Sequence, residues 1–207
     1  MSPNASNALL IVVSAPSGGG KTTLCDQLLA TEPNLTRAVT STTRPPRPGE
    51  QPGRDYYFFS PEEFQRRVAA GEFVEHATVF GRSYGVLRSE LLEKLRSGKD
   101  VLLNVDVQGA AAFRAQAATE PELRRALVSI FLTPASLAEL EGRLRRRNAD
   151  GEAEIQKRLA TARHELAQWN QFDYLVISTS IAEDLRRARV ILEAEKMRVL
   201  RSAAPVF

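Results

Sequence analysis

A glycine-rich loop, Ser14–Thr23, is the stretch of this sequence with the clearest chemistry. It contains three consecutive glycines followed by Lys21 and Thr22. The glycines allow backbone N–H groups to turn inward around a phosphate without a Cβ in the way. A lysine at this position reaches the β- and γ-phosphates of a nucleotide, and the hydroxyl after it binds Mg²⁺. The loop therefore predicts a nucleoside triphosphate site, in which Thr22 is a metal ligand.

The segments around the loop have the character that such a site needs. An apolar run, Leu9–Val13, precedes the loop and a periodic apolar stretch, Leu24–Leu29, follows it, which predicts a strand, a turn and a helix. The helix adds the positive end of its dipole to the phosphate site. Ala15 replaces the first glycine of the usual pattern and requires a negative φ. The predicted triphosphate-binding residues are Ala15, Pro16, Ser17, Gly18, Gly19, Gly20, Lys21, Thr22 and Thr23.

A second group of residues favours an acceptor that carries a phosphate. Arg44 and Arg47 lie three apart in a proline-rich segment, and guanidinium groups bind phosphate in pairs. Tyr56 and Tyr84 can add hydroxyl donors. The Glu75 carboxylate could accept from both N1–H and the 2-amino group, a pair of donors that guanine presents and adenine does not. The alternative is a solvated basic loop with two core tyrosines.

The composition narrows the class of protein. The chain has 207 residues, 43% of them hydrophobic, and a net charge of +3, which suits anionic substrates and does not by itself argue for nucleic acid. One cysteine, Cys25, excludes an internal disulfide and favours a reducing compartment, so we expect a cytoplasmic protein. No apolar run reaches the ~18 residues of a membrane span, and the short polar start is not typical of a signal peptide.

Strand patterns near residues 9, 36, 101, 127 and 173, separated mainly by helices, predict an α/β fold with a five-stranded parallel sheet. Ligands bind at the carboxyl ends of such strands. The predicted strands are 9–13, 35–40, 56–59, 73–80, 101–105, 127–132 and 174–177. The predicted helices are 20–30, 61–70, 89–96, one from 108, one from 134 with Thr133 as its cap, 152–171 and 181–201, and a turn is predicted at 81–85.

A basic cluster, residues 143–147, lies between two predicted helices that a glycine-containing break at 148–151 separates. Phosphoryl transfer needs positioned cations rather than covalent help from the protein, and a hinged lid would deliver them and exclude water. The alternative is a solvated helix end. We predict a single domain with a core (8–40, 89–134 and 172–207), an inserted lobe of short strands (41–88) and a helical lid (about 135–171).

Several motifs together closely resemble the guanylate kinase family. They are the loop Ser14–Thr23, the block Ser41–Phe58, Phe73–Ala77, Tyr84–Gly85 and Val105–Gly109. The resemblance runs from about Leu9 to the last helix. It implies a P-loop NTPase fold with a lobe that binds the nucleoside monophosphate, and Mg²⁺-dependent transfer of phosphate from ATP to GMP or dGMP. It also implies no nucleic-acid or membrane partner, and a monomer or homodimer.

The resemblance also assigns roles to individual residues. The residues that would bind GMP are Thr40, Arg44, Arg47, Tyr56, Glu75, Tyr84 and Asn104, with Glu75 and Thr40 on the guanine. The catalytic cations would be Lys21, Arg44, Arg143, Arg147 and Arg158, and the metal ligands Thr22 and Asp106. Arg145 and Arg146 would face solvent or form ion pairs.

Two positions depart from the family pattern. Val86 replaces a small hydroxyl residue, which removes one hydrogen bond worth ~0.5–1.5 kcal/mol. Asn104 replaces an aspartate and keeps only a carbonyl acceptor. These changes leave open a kinase of the same fold that acts on another phosphorylated acceptor, such as ribose 1,5-bisphosphate. A third hypothesis, a non-catalytic module that binds phosphorylated proteins, is opposed by the intact loop and the lid arginines.

Overall fold

The computed structural model describes residues 7–147 and 151–202, and of Arg147 the backbone alone. The elements in chain order are β1 (Leu10–Ser14), α1 (Lys21–Thr31), β2 (Leu35–Arg37), β3 (Thr40–Thr42), β4 (Tyr56–Phe58), α2 (Pro61–Ala69), β5 (Phe73–Val79), β6 (Arg82–Leu87), α3 (Arg88–Arg96), β7 (Asp100–Asn104), α4 (Val107–Thr119), α5 (Pro121–Ala126), β8 (Leu127–Pro134), α6 (Leu137–Arg147), α7 (Glu152–Leu166), β9 (Tyr174–Ser178) and α8 (Ile181–Lys196). A 3₁₀ turn, Trp169–Gln171, precedes β9.

A five-stranded parallel sheet in the order β2-β7-β1-β8-β9 forms the core, which confirms the predicted α/β fold. Every residue of the central strand β1 is buried. Because successive side chains alternate between the two faces, Ile11 and Val13 pack with α1 and α8, whereas Leu10 and Val12 pack with α3 and α4. The continuous apolar run therefore reflects a strand that helices cover on both sides.

A second sheet of four strands, in the order β4-β3-β6-β5, follows β2 in the chain. The stacked rings of Phe64 on α2 and Phe73 on β5, 4.5 Å apart, support it from one side. The single strand predicted at 35–40 is wrong: β2 pairs in the parallel sheet and β3 in the second sheet. The sequence runs through Ala38 and Val39 without a turn residue, so the partner strands, and not local propensity, decide where the strand divides.

The turn predicted at 81–85 is also wrong, because these residues belong mainly to β6, which pairs with β5. The reversal is shorter and is made by Phe80 and Gly81, with φ angles of 49° and 72°. Two consecutive positive φ angles are typical of a two-residue hairpin turn whose twist matches that of its strands. Phe80 lies fully exposed at the tip.

Three helix boundaries differ from the predictions. Thr133 and Pro134 extend β8 beside β9, and α6 begins later, capped by the Ser136 hydroxyl, which accepts from the Glu139 N–H. The helix predicted at 152–171 ends at Leu166, and the last helix ends at Lys196 rather than 201. By contrast, Ser60 caps α2 as predicted. Of the predicted break at 148–151, residues 148–150 lie outside the described residues.

None of the helices in the described part of the chain is long and apolar enough to cross a bilayer.

Candidate active site

The glycine-rich loop joins the end of β1 to the start of α1. Gly18 and Gly20 have positive φ angles of 85° and 98°, which side chains with a Cβ rarely adopt. A Cβ at Gly18 would also lie 2.9 Å from Leu144 of α6. Among the non-glycine residues that the structure describes, Phe80 alone has a positive φ, so Ala15 keeps the negative φ that it requires. The sequence therefore adopts an anion-binding loop at the carboxyl end of the central strand.

Lys21 lies in the first turn of α1 and reaches across the sheet. Its Nζ donates to the carbonyl of Val105, just beyond β7, at 2.7 Å. Burial lowers the pKa of Lys21, against the nearby charge of Asp106, which raises it. The hydrogen bond places the ammonium group between the ends of β1 and β7, where ligands bind in parallel sheets. The neighbouring Thr22 is exposed.

Glu165 of α7 contacts the same loop, which the sequence analysis did not foresee. The Ser17 N–H donates to its carboxylate at 3.0 Å. Burial raises the pKa of Glu165. A carboxylate on this N–H shows that the loop binds an anionic oxygen. Because 148 residues separate the partners, no spacing in the sequence could have indicated the contact.

A cavity of about 330 Å³, here called the Glu75 cavity, lies between the second sheet and the end of β7. It brings together five predicted site residues, Thr40, Glu75, Tyr84, Asn104 and Asp106, and Val86 also lines it. Burial raises the pKa of the Glu75 carboxyl, and the charge of Asp106 adds to this effect. The cavity thus presents the Glu75 carboxylate in a partly desolvated setting, with the Asp106 carboxylate also in its lining.

Arg44 and Tyr56 lie beside this cavity rather than in its lining. One Arg44 nitrogen bonds both oxygens of Glu50, at 2.8 and 3.0 Å, and the guanidinium lies 5.3 Å from the centre of the Tyr56 ring. The Tyr56 ring in turn packs edge-on against Tyr84, which lines the cavity, at 6.5 Å. Arg47 is exposed. Arg44 therefore lies beside Tyr56 and Tyr84, with Glu50 as an internal anion on its guanidinium.

Asp106 caps α4, since its Oδ1 accepts from the Gly109 N–H at 2.8 Å. The residue is exposed at the end of β7, as Thr22 is at the start of α1. Among the described residues no group of three or more His, Cys, Asp or Glu could hold a metal ion by itself. Mg²⁺ usually keeps several waters and binds one or two protein oxygens together with substrate phosphates. Thr22 and Asp106 fit that kind of site.

A second cavity, of about 350 Å³ and here called the Arg143 cavity, opens beside the glycine-rich loop. Gly18, Gly20, Arg143, Ser178 and Asp184 are among the residues that line it. The Arg143 guanidinium bonds Glu139 at 2.7 Å and the Ser178 hydroxyl at 3.2 Å. The structure therefore places one predicted lid cation next to the loop.

The other basic residues of this region differ in their positions. Arg158 pairs with Glu154 on its own helix at 3.6 Å and is not among the residues that line either cavity. Arg145 forms ion pairs and Arg146 is exposed, both as predicted. Arg146 also lines the Arg143 cavity. The Arg147 side chain lies outside the described residues.

Gly85 lines the Glu75 cavity where β5 and β6 pack closely against each other. A Cβ at this position would lie 2.8 Å from the Phe73 ring and 2.9 Å from the Glu75 carbonyl. We expect Gly85→Ala to separate β5 from β6 and to lower the free energy of unfolding by about 1–3 kcal/mol, measured by urea denaturation. Gly151→Ala is the control, because Gly151 has a negative φ and no described atom beyond its chain neighbours lies within 4 Å of the new Cβ. Equal stability of the two variants would contradict the close packing.

The fold and the glycine-rich loop define a P-loop nucleotide-binding protein. The Arg143 cavity lies beside its phosphate loop, and the Glu75 cavity lies at the end of β7. The family model for guanylate kinase matches residues 7–195, and the chain belongs to the guanylate kinase family. The predicted resemblance is therefore confirmed.

Individual relatives agree with this assignment. The chain is 41% identical over 193 residues to a guanylate kinase from Maricaulis maris (strain MCS10), covering 93% of this chain and 86% of the relative. It is 42% identical over 190 residues to one from Paramagnetospirillum magneticum (strain ATCC 700264 / AMB-1), with 92% and 86% covered. The crystal structure of guanylate kinase from Anaplasma phagocytophilum is similar in fold, with a TM-score of 0.68, 36% identity, and 94% and 89% of the two chains covered.

Proposed function

We propose that this protein transfers the γ-phosphoryl group of ATP to GMP, giving ADP and GDP. The observation that carries the proposal is the Glu75 cavity, in which Glu75 and Tyr84 of the second sheet face the end of β7. Lys21 from the glycine-rich loop reaches that same strand end through the Val105 carbonyl. An acceptor and a triphosphate could therefore meet there. The guanylate kinases among the relatives support this reading.

On the acceptor side, the Glu75 carboxylate would accept from N1–H and the 2-amino group of guanine, with the Thr40 hydroxyl nearby. The phosphate of GMP would replace Glu50 as the partner of Arg44. Tyr84 joins the two parts, because it lines the cavity and its ring packs against Tyr56. We assign the remaining contacts to Arg47, Tyr56 and Asn104.

On the donor side, the loop N–H groups and Lys21 would bind the β- and γ-phosphates. The phosphate of GMP is already an anionic nucleophile, so transfer needs cations and positioning rather than a general base. Arg143 lies next to the loop, and we assign the same charge-neutralising role to Arg147 and Arg158. Mg²⁺, held by Thr22 and Asp106 together with phosphates, would neutralise part of the phosphate charge when bound.

The proposed domain organisation follows from these roles. The core (8–40, 89–134 and 172–207) would bind ATP, the lobe 41–88 would bind GMP, and the lid (about 135–171) would close over both and exclude water.

A reducing compartment such as the cytoplasm suits the buried free thiol of Cys25, whose pKa burial raises to about 12. We propose a monomer or homodimer.

The test is ADP release from Mg-ATP with a panel of acceptors: GMP, dGMP, AMP, UMP and ribose 1,5-bisphosphate. We expect turnover with GMP and dGMP, and little with the others. Turnover with ribose 1,5-bisphosphate and none with GMP would contradict the proposal and would mean that Val86 and Asn104 redefine the acceptor site.

We expect Arg44→Leu to raise the KM for GMP by about 10- to 100-fold, the effect of losing one hydrogen bond to a charged group. The KM for ATP should change little, because Arg44 lies beside the Glu75 cavity and not the loop. The matched control is Arg54→Leu, an exposed arginine of the same segment that pairs with Asp55. If both variants behave alike, Arg44 has no specific role in binding the acceptor phosphate.

A further inference from the structure

The Arg143 cavity contains a chain of hydrogen bonds through Ser178 and Asp184, two residues that have no role in the proposed function. The Ser178 hydroxyl, at the end of β9, donates to Asp184 at 2.6 Å. The same oxygen accepts from two nitrogens of Arg143, each at 3.2 Å. The other Asp184 oxygen accepts from the Thr179 N–H at 3.1 Å. A carboxylate, a hydroxyl and a guanidinium are thus linked within one cavity.

The two members of this chain at its carboxylate end, Ser178 and Asp184, are buried. Ser178 is 4% exposed and Asp184 is 7% exposed. A buried carboxylate is costly unless hydrogen bonds and an opposite charge compensate it. Asp184 has two hydrogen bonds, and it lies in the first turn of α8, where the helix dipole stabilises a negative charge. The neighbouring Glu183 instead pairs with Arg186 and Arg187 on its own helix.

The chemistry of the groups sets the direction of the chain of hydrogen bonds. An ionised carboxylate can only accept, so the Ser178 proton must lie toward Asp184. This leaves the lone pairs of the serine oxygen for the two Arg143 donors. The guanidinium is then held between Glu139 on its own helix α6 and Ser178 at the end of the parallel sheet.

This position brings the arginine to the phosphate loop. One terminal nitrogen of Arg143 lies 3.8 Å from the point where a Cβ on Gly20 would stand. Gly20 caps the helix that begins with Lys21. A cation already held at this point requires no reorganisation when the nucleotide binds, which is how preorganised charges accelerate reactions.

We propose that Asp184 and Ser178 are positioning residues for Arg143: the carboxylate orients the serine hydroxyl, and the serine oxygen holds the guanidinium at the phosphate loop. This inference rests on the proposed function, in which Arg143 neutralises charge on the transferred phosphoryl group. Neither residue touches the substrates in this scheme.

Three substitutions test the chain of hydrogen bonds. Ser178→Ala removes the oxygen that holds Arg143. Asp184→Asn reverses the hydroxyl, because an amide N–H then donates to the serine oxygen and competes with Arg143 for its lone pairs. We expect each to lower kcat about tenfold, the scale of one lost hydrogen bond to a charged group, and to leave the KM for GMP unchanged. Ser178→Thr keeps the hydroxyl and should retain most of kcat.

The decisive measurement is a double-mutant cycle with Arg143→Ala. If Asp184 acts through Arg143, Asp184→Asn has no further effect on kcat in the Arg143→Ala background. An equal loss in both backgrounds, or an unchanged kcat in Ser178→Ala, would overturn the proposal. Glu183→Gln is the control on the same helix turn and should leave kcat unchanged. Circular dichroism and thermal melting check that each variant is folded.

The same double-mutant cycle is then measured with ATP affinity, from isothermal titration calorimetry, in place of kcat. Ser178→Ala and Asp184→Asn should each weaken ATP binding severalfold. Neither substitution should weaken it further in the Arg143→Ala background. This readout does not depend on the acceptor. Absence of GMP turnover in the wild-type protein would therefore refute the proposed function, whereas additive losses of ATP affinity would refute the positioning role.

Discussion

Lys21→Met is expected to leave the protein folded and to lower kcat by about 10²–10³-fold, the cost of removing one preorganised donor from the site of charge development. The ammonium group lies between the ends of β1 and β7, held by the Val105 carbonyl at 2.7 Å. In a P-loop enzyme it would leave this carbonyl or share it with the β- and γ-phosphates. The measurement is steady-state ADP release with Mg-ATP and GMP.

The fold should not depend on the Lys21 charge. Burial lowers its pKa, so the unfolded chain binds the proton more tightly, and the charged lysine destabilises the folded state below that lowered pKa. The wild-type protein should gain stability as the pH rises from the lowered pKa toward 10.5, and Lys21→Met should lack this gain. At neutral pH the variant should unfold at the same urea concentration or a higher one.

Lys99→Met is the matched control, because Lys99 is exposed. It should keep wild-type activity and stability. An unfolded Lys21→Met protein would indicate a structural role, and near-normal turnover would remove Lys21 from the chemistry.

Glu75→Gln is expected to lower kcat/KM for GMP by about 10²–10³-fold while the KM for ATP stays the same. Guanine presents two donors, and a carboxylate can accept both, whereas an amide directs its own NH₂ at one of them. A site built to pair with polar groups discriminates strongly when one group is left unpaired. The control is Glu72→Gln, since Glu72 pairs with Arg67 instead of lining the Glu75 cavity. Equal losses for GMP and ATP would exclude a guanine-reading role.

The pH dependence provides an independent check of Glu75. Burial and the charge of Asp106 raise its pKa above the usual value, and only the ionised form accepts both guanine donors. GMP binding should therefore weaken as the pH falls through this raised pKa. The KM for GMP, followed from about pH 8 down to 5, should rise in the wild-type protein more than in Glu75→Gln. The ionisation of GMP itself affects both proteins equally.

Much of the fold could be predicted because its signals are local. The apolar run before the glycine-rich loop, the loop itself and the helix after it are adjacent in sequence, and the structure has them in that order. The same holds for the capping of α2 by Ser60, whose partner is three residues away. The apolar runs of β1, β7, β8 and β9 were strong enough to identify each of these strands, whereas β2 was predicted only as part of a longer strand, 35–40.

The candidate site depended more on tertiary structure. The family resemblance assigned Thr40, Glu75, Tyr84 and Asn104 to GMP and Asp106 to the metal, and the structure places all five around one cavity. The roles proposed for them, and for Arg44, Arg47 and Arg158, stay predictions, of which the Glu75 and Arg44 variants test two. The sequence contained no indication that Glu50 holds Arg44, because a charge-rich loop has many possible pairings.

The sequence by itself thus determined the phosphate loop, the parallel sheet and the family. Only the tertiary structure decided that one predicted strand divides between two sheets at Ala38 and Val39, that Glu165 binds the loop, and that Asp184 and Ser178 hold Arg143. The physical reason is the separation along the sequence over which each interaction acts. Propensity, capping and periodicity act over a few residues, whereas Ser178 and Arg143 are 35 residues apart. Such partners meet only when packing brings the end of β9 beside α6.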